Sequence, residues 1–244
     1  MKQLQIRTRY VYCIVLALVC MSISGRSENR ELPSAHQLLA QFKTSQVFWQ
    51  QFDIGKQIVA LNDPSILADL QDWIDHEDRH IRGNVAFIFA SLGDDRGLQV
   101  IQEILTDQSD RPVAQGIPMG NETVKKQINA DRYYAAHLLG ILKDKRALPI
   151  LIPLLKDRAI NYKVAWALGE TGDSMAIEPL TEALNDENPD VKVIAIDSLV
   201  KLQARSALPQ LHLLLTDTEK SRFGEQITVA AAARNAIMEL EKKP

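Results

Sequence analysis

The chain has 244 residues, 46% of them hydrophobic and 24% charged, which suffices for one large domain or two small ones with a buried core. A formal net charge of −3 excludes a general nucleic-acid binder, because neutralising phosphates requires extended basic patches. Alanine and leucine dominate and aromatic residues make up only 6%, which favours helix over sheet.

Residues 1–25 have the three-part pattern of a secretory signal peptide. The first nine residues carry three basic side chains and no acidic one, an apolar run follows over 11–23, and small residues stand at 22–25. The apolar run is too short for a comfortable transmembrane helix, although an uncleaved anchor is the alternative. We therefore predict an exported protein, periplasmic or extracellular, that meets the membrane only through this segment.

Both cysteines, Cys13 and Cys20, lie inside this segment. A mature chain without it has no thiol, so it forms no disulfide and has no cysteine nucleophile. It would also be three units more negative than the full sequence, since the segment carries three positive charges.

Five stretches of the remaining sequence are copies of one pattern, and they recur about every thirty residues. The copies are LNDPSILADLQDWID (61–75), LGDDRGLQVIQEILTD (92–107), LKDKRALPILIPLLKD (142–157), TGDSMAIEPLTEALND (171–186) and LQARSALPQLHLLLTD (202–217). We call the third residue of each copy its anchor. Apolar residues recur four, seven and eleven positions after the anchor. This spacing places them on one face of an α-helix.

A second helix is predicted before each anchor, with an apolar stripe such as Val85, Ala86 and Phe89. Each unit is then a helical hairpin, which cannot cover its own apolar faces and must stack on its neighbours. The sequence predicts an all-α fold, an α-solenoid forming a right-handed superhelix of about five to six stacked hairpins.

The repeated pattern resembles the short HEAT repeat, the type also found in phycobilisome lyases. The matching stretches are IRGNVAFIFASLGD (81–94), NYKVAWALGETGD (161–173) and NPDVKVIAIDSL (188–199). The resemblance implies a solenoid over 47–240, with a polar segment and helix at 26–46 before it and a tail at 241–244 after it. It indicates the fold more than the function, because such repeats serve many functions.

The string HEDRH (76–80) matches the HExxH signature of zinc peptidases. Zinc chemistry requires His76 and His80 on one helical face, with Glu77 beside the metal-bound water. In the repeat register, however, the string aligns with DENPD (186–190), whose proline marks a turn between units. We therefore predict an exposed turn and no metal or other cofactor, with a zinc hydrolase that uses these residues as an alternative.

Two surfaces are candidate binding sites. An insertion at 108–128, rich in glycine, proline and asparagine, predicts a loop whose apolar residues Ile117 and Met119 contact a partner. The other surface, called here the aromatic row, lies opposite the apolar stripe of the first helices and consists of Phe87, Tyr133, His137, Tyr162 and Trp166. A passive loop, or one that folds over the row and buries it, is the alternative.

The absence of a serine-hydrolase elbow, a phosphate loop or a mature thiol favours a non-catalytic scaffold. We predict a monomer that binds an unidentified protein partner and no nucleic acid, without catalytic residues. Besides the zinc hydrolase, the resemblance leaves a bilin lyase-like enzyme as an alternative, which the export signal opposes.

The signal-peptide hypothesis predicts that the protein isolated from its native cells begins close to Arg26. N-terminal sequencing together with the intact mass tests this directly. An intact chain that still starts at Met1 in the cytosolic fraction would contradict export.

Overall fold

The protein is described here from a computed structural model, which covers residues 33–109, 121–223 and 226–242. All elements lie in the unit that starts at Ala35. Its α-helices are α1 (Ala35–Thr44), α2 (Phe48–Ala60), α3 (Leu67–Leu70), α4 (Arg79–Ser91), α5 (Asp95–Thr106), α6 (Asn121–Leu142), α7 (Leu148–Leu151), α8 (Asn161–Glu170), α9 (Ile177–Ala183), α10 (Pro189–Lys201), α11 (Leu208–Leu213) and α12 (Val229–Leu240).

Consecutive elements pair into five hairpins over the described residues, with α1 before them and α12 after them. The first helix of each hairpin is regular, whereas four of the five second arms mix a short α-helix with 3₁₀ turns. Proline contributes to this irregularity: Pro149 lies in the first turn of α7, and Pro153 opens a 3₁₀ turn at Ile152–Lys156. Because proline lacks an N–H donor, it interrupts a helical ladder at these points.

Each hairpin bends at a residue with left-handed backbone conformation, directly before the anchor. The five residues are Asn62, Gly93, Lys143, Gly172 and Gln203, with φ between 53° and 90°. In four of the five units the anchor that follows is an aspartate whose carboxylate accepts the N–H two residues later, as Asp173 does from Met175 at 2.9 Å. The anchor therefore caps the second arm and satisfies a donor that the helix start leaves open.

The core is a column of apolar side chains that runs through all five hairpins. The residues seven positions after each anchor are fully buried at 0% exposure, namely Leu70, Ile101, Leu151, Leu180 and Leu211. The predicted stripe of the first helices is buried as well, as Val85, Ala86 and Phe89 show. Each such side chain gains about 1.5–3 kcal/mol from burial, and neighbouring hairpins provide the cover.

Glycines allow the helices to approach closely, within one hairpin at Gly97 and between two hairpins at Gly140. A Cβ on Gly97 would lie 2.2 Å from the carbonyl oxygen of Ala86, and one on Gly140 would lie 2.4 Å from the Trp166 ring. Both contacts are far shorter than van der Waals distance. The second of them fixes how α6 and α8 approach each other, and therefore where Trp166 lies.

A polar tie also recurs within the later hairpins, between the first helix and the end of the second arm. Arg132 binds Asp157 at 2.5 Å and Lys192 binds Asp217 at 2.7 Å, while the amide of Asn161 donates to Asp186 at 3.1 Å. In these three hairpins the first helix is thus held at a fixed distance from the end of the second arm, and Arg132 and Lys192 are paired with carboxylates rather than left as lone charges.

The predicted all-α solenoid of stacked hairpins is confirmed. The predicted loop at 108–128 is too long, because α6 is already helical at Asn121. Beyond Gly120 the sequence has neither glycine nor proline until Gly140, and its glutamate, lysine and glutamine residues favour helix. The predicted signal peptide lies outside the described residues, among which no helix is long and apolar enough to span a bilayer.

The bend geometry predicts that Gly172→Ala lowers the free energy of unfolding by about 1 kcal/mol, because an L-residue is strained at φ 67°. The space around this Cβ is empty, so the loss would come from the backbone alone. Urea unfolding followed by circular dichroism measures it. Gln203→Gly, at the equivalent bend, is the matched control and should not lower stability. Equal stability of the parent and Gly172→Ala would contradict the assignment.

Candidate functional site

The HEDRH string lies where the repeat register places it, at the bend before α4. His76 and Glu77 precede the helix, Asp78 caps it by accepting the N–H of His80 at 2.8 Å, and α4 begins at Arg79. The Nδ1 of His76 accepts the N–H of Asp78 at 3.0 Å. His76 and His80 therefore do not occupy successive turns of one helix, as zincin chemistry requires.

A cleft of about 470 Å³ opens beside this bend, lined by residues that include Lys43, Phe48, Trp73, His76 and His80. The His80 ring packs on Phe48 with 4.4 Å between ring centroids, and its Nδ1 lies 3.5 Å from the buried Asp131 carboxylate. Within the described ranges, no cluster of three or more potential metal ligands forms. The contacts of His80 are those of a packed side chain at a helix start.

Four residues of the predicted aromatic row come together on α6 and α8, and we call them the aromatic platform: Tyr133, His137, Tyr162 and Trp166. The His137 ring stacks on Trp166 with 5.1 Å between centroids and 23° between planes. The ring centroids of Tyr133 and Tyr162 lie 5.5 Å apart. All four side chains are half-buried, so each keeps part of its surface open to solvent.

A lysine that the sequence analysis missed lies against this platform. The Lys163 ammonium is 4.7 Å from the Tyr133 ring centroid and 4.4 Å from that of Trp166. No carboxylate in the described part of the chain lies within ion-pairing distance of it. The platform therefore combines flat apolar faces with a cation whose local partners are π systems.

Two polar groups of the platform, the His137 imidazole and the Tyr133 hydroxyl, are neutral at pH 7. Burial, with added repulsion from Lys163 and Lys56, lowers the pKa of His137 to about 4. Burial and the neighbouring Tyr162 raise the pKa of Tyr133 to about 12. The Nδ1 atom of His137 is buried and has no hydrogen-bond partner among the described residues. Positive charge on this surface therefore comes from Lys163 and not from His137.

Phe87 does not belong to this surface, which corrects the prediction. It is only 4% exposed and packs against Phe52 of α2 with 4.9 Å between centroids. Helix α2, in the neighbouring hairpin, covers the face of α4 that a helical projection of α4 alone leaves open. Phe48, Phe52 and Tyr134, also missed, continue the aromatic contacts from the platform toward α2.

Tyr134 is anchored by a buried amide. Its hydroxyl donates to Oδ1 of Asn84, whose Nδ2 donates to the Phe48 carbonyl at 2.9 Å and to Gln51 at 2.8 Å. Asn84 is fully buried, so this network fixes α2, α4 and α6 relative to one another. Its role is to position the aromatic side chains. The other two predicted site residues, Ile117 and Met119, lie outside the described residues.

The platform continues toward the C-terminal end of the stack into a second groove, of about 270 Å³. Phe223 lines this groove, and its ring centroid also lies 5.7 Å from that of Tyr162. The apolar wall includes Val193 and Ile227, and the carboxylate of Asp197 stands in it. Phe223 belongs to an irregular segment, so no repeat spacing could have identified it.

The His137 environment predicts a pH dependence of stability. Its pKa of about 4 lies below the ordinary 6.5, so between these values the unfolded chain binds a proton that the folded chain does not. The free energy of unfolding should therefore fall as the pH drops from 6.5 to 4. A His137→Phe variant should lose less free energy of unfolding between pH 6.5 and pH 4. The ring signals that this variant lacks are those of His137, which identifies them in an NMR titration of the parent protein. A midpoint near 6.5 for those signals would contradict the buried environment.

Comparison with known proteins gives several matches. The family profile for HEAT repeats matches residues 125–187. The bilin biosynthesis protein PecE of Mastigocladus laminosus is 30% identical over 69% of this chain and 56% of its own length. The phycocyanobilin lyase subunit alpha of a Picosynechococcus strain is 36% identical over 34% of this chain and 35% of its own. An engineered protein of known structure aligns with 86% of this chain and 97% of its own, at 16% identity and a TM-score of 0.43.

The prediction of a non-catalytic protein is wrong, because the relatives are named for bilin biosynthesis and for phycocyanobilin lyase. The chain spans a little more than half the length of the first of them. The family profile and these similarities confirm the resemblance stated from the repeat pattern. The chain therefore carries HEAT repeats, matched over residues 125–187, and it is similar to a bilin biosynthesis protein and to a phycocyanobilin lyase subunit.

Proposed function

We propose that this chain is a bilin lyase-like protein, which binds a linear tetrapyrrole on the aromatic platform and acts with a protein partner. The observation that carries the proposal is the stacked pair His137 and Trp166, flanked by Tyr133, Tyr162 and the Lys163 ammonium. The similarity to PecE and to a phycocyanobilin lyase subunit supports a bilin as the ligand.

The platform suits the chemistry of a bilin. A bilin is a flat conjugated molecule with two carboxylate side chains. Its rings gain from stacking on half-buried aromatic faces, at about 0.5–1.5 kcal/mol per aromatic pair beyond the area buried. Lys163 can pair with a carboxylate of the ligand, because its ammonium is not engaged by a carboxylate of the described chain. Its partial burial strengthens such a pair relative to one in open water.

The thiol for covalent attachment comes from the acceptor protein in this proposal. The only cysteines of the chain are Cys13 and Cys20, both in the predicted signal segment. Attachment is the addition of an acceptor thiol across a carbon–carbon double bond of the bilin: the sulfur–carbon bond forms, and the thiol proton ends on the neighbouring carbon. This addition needs no oxidant. The task left to this chain is to hold the bilin in one orientation while the acceptor approaches.

A second protein is part of the proposal. One relative is named as an alpha subunit, which supports a partner protein. The export of the chain and its monomeric state stay predictions. If the mature protein begins near Arg26, bilin and acceptor would have to meet it outside the cytoplasm.

Titration of the purified chain (residues 26–244) with phycocyanobilin tests the proposal, followed by the absorbance of the pigment and by tryptophan fluorescence. We expect saturable binding that Trp166→Ala weakens at least about tenfold, since tenfold corresponds to about 1.4 kcal/mol and one stacked ring is lost. Trp49→Ala is the matched control, because Trp49 is 59% exposed and lies outside the platform.

The fluorescence can be assigned to the platform in a variant with Trp49→Phe and Trp73→Phe, which leaves Trp166 as the only tryptophan. Its emission should be quenched by the bound pigment. Absence of saturable binding to the folded parent protein would refute the proposal. Equal weakening by Trp49→Ala and Trp166→Ala would place the bilin elsewhere.

A further inference from the structure

Asp197 differs from the other carboxylates of the stack that are held in ties. Asp157, Asp186 and Asp217 each bind a side chain of their own hairpin. Among the described residues, Asp197 has neither a hydrogen-bond nor an ion-pair partner. More than a third of its surface is exposed, yet protein surrounds it closely enough that burial raises its pKa.

The groove around Asp197 is mostly apolar. Val193, Val200, Phe223, Ile227 and Ala236 are among the residues that line it. A carboxylate loses hydration in such surroundings, which is unfavourable unless a donor replaces the lost water. The groove therefore offers a strong hydrogen-bond acceptor to a ligand that is otherwise apolar.

The repeat register places Asp197 next to the platform. The buried hydroxyl of Ser198 on α10 donates to the carbonyl of Ala165 on α8 at 2.9 Å. The residues adjacent to these two, Asp197 and Trp166, hold the same register position in consecutive hairpins. Phe223 links the two surfaces, since it lines the groove and contacts Tyr162.

We infer that Asp197 accepts hydrogen bonds from the pyrrole N–H groups of a linear tetrapyrrole that extends from the aromatic platform into this groove. The inference rests on the proposed function and assigns to the same ligand a residue that fixes its orientation. A bilin carries N–H donors on its pyrrole rings and carboxylates on its side chains. Asp197 suits the donors and Lys163 suits the carboxylates, so the two charges together define which way the pigment lies.

The experiment compares the affinity and the absorption spectrum of phycocyanobilin on the parent chain, Asp197→Asn and Asp72→Asn. Hydrogen bonds to charged groups contribute enough that we expect Asp197→Asn to weaken binding about tenfold or more and to shift the absorption of the bound pigment. Asp72→Asn is the matched control, because this exposed aspartate in the turn at Gln71–Trp73 lies outside the platform and the groove and undergoes the same change from carboxylate to amide. It should change neither quantity.

A second arm uses the dimethyl ester of phycocyanobilin, which keeps the N–H groups and lacks the carboxylates. Its binding should be weakened by Asp197→Asn by the same factor as that of the free acid. Asp197→Ser replaces the asparagine variant if that protein does not fold, as judged by circular dichroism.

The possible failures are distinguishable. If the parent chain does not bind the pigment, the proposed function and this inference both fail. If the parent binds it and Asp197→Asn binds with unchanged affinity and spectrum, the inference alone fails. Equal losses in Asp197→Asn and Asp72→Asn would show a general charge effect and also overturn it.

Discussion

The structure depends on one constraint: a single hairpin of this sequence cannot bury its own apolar column. The five residues of that column, from Leu70 to Leu211, are fully buried only because each hairpin lies on the next. Stacking then fixes the spacing between equivalent positions of neighbouring first helices. Side chains at those positions meet even though they are some thirty residues apart in sequence, which is how His137 reaches Trp166.

The same constraint distinguishes residues that only follow the repeat pattern from residues that form a site. HEDRH has the letters of a zinc signature, but the repeat assigns its first half to a bend and its second half to a helix start. The platform has no signature at all. It arises because two adjacent hairpins carry aromatic residues at the same register position, and because Gly140 leaves room for the Trp166 ring. In a solenoid, register is therefore a better guide to a site than a short motif.

Much of the fold could be predicted from the sequence, because the apolar residues of the buried column recur with a clear period. An anchor aspartate also follows every bend but the last. The left-handed backbone at Asn62, Lys143 and Gln203 could not be predicted, because only two of the five bend positions hold glycine. Phe87 was assigned to the surface because a helical projection considers one helix alone, whereas Phe52 of the neighbouring helix covers it. Phe223 belongs to no repeat, and Lys163 becomes part of the site only through its packing on two rings from different hairpins.

The central claim is that stacking of α6 on α8 creates the surface that binds a bilin. A crystal structure of the chain with phycocyanobilin bound tests this most directly. We expect the conjugated rings of the pigment to lie over Trp166 and His137, with a carboxylate near Lys163. Pigment bound elsewhere, for example in the cleft beside His76 and His80, with the platform bare, would contradict it.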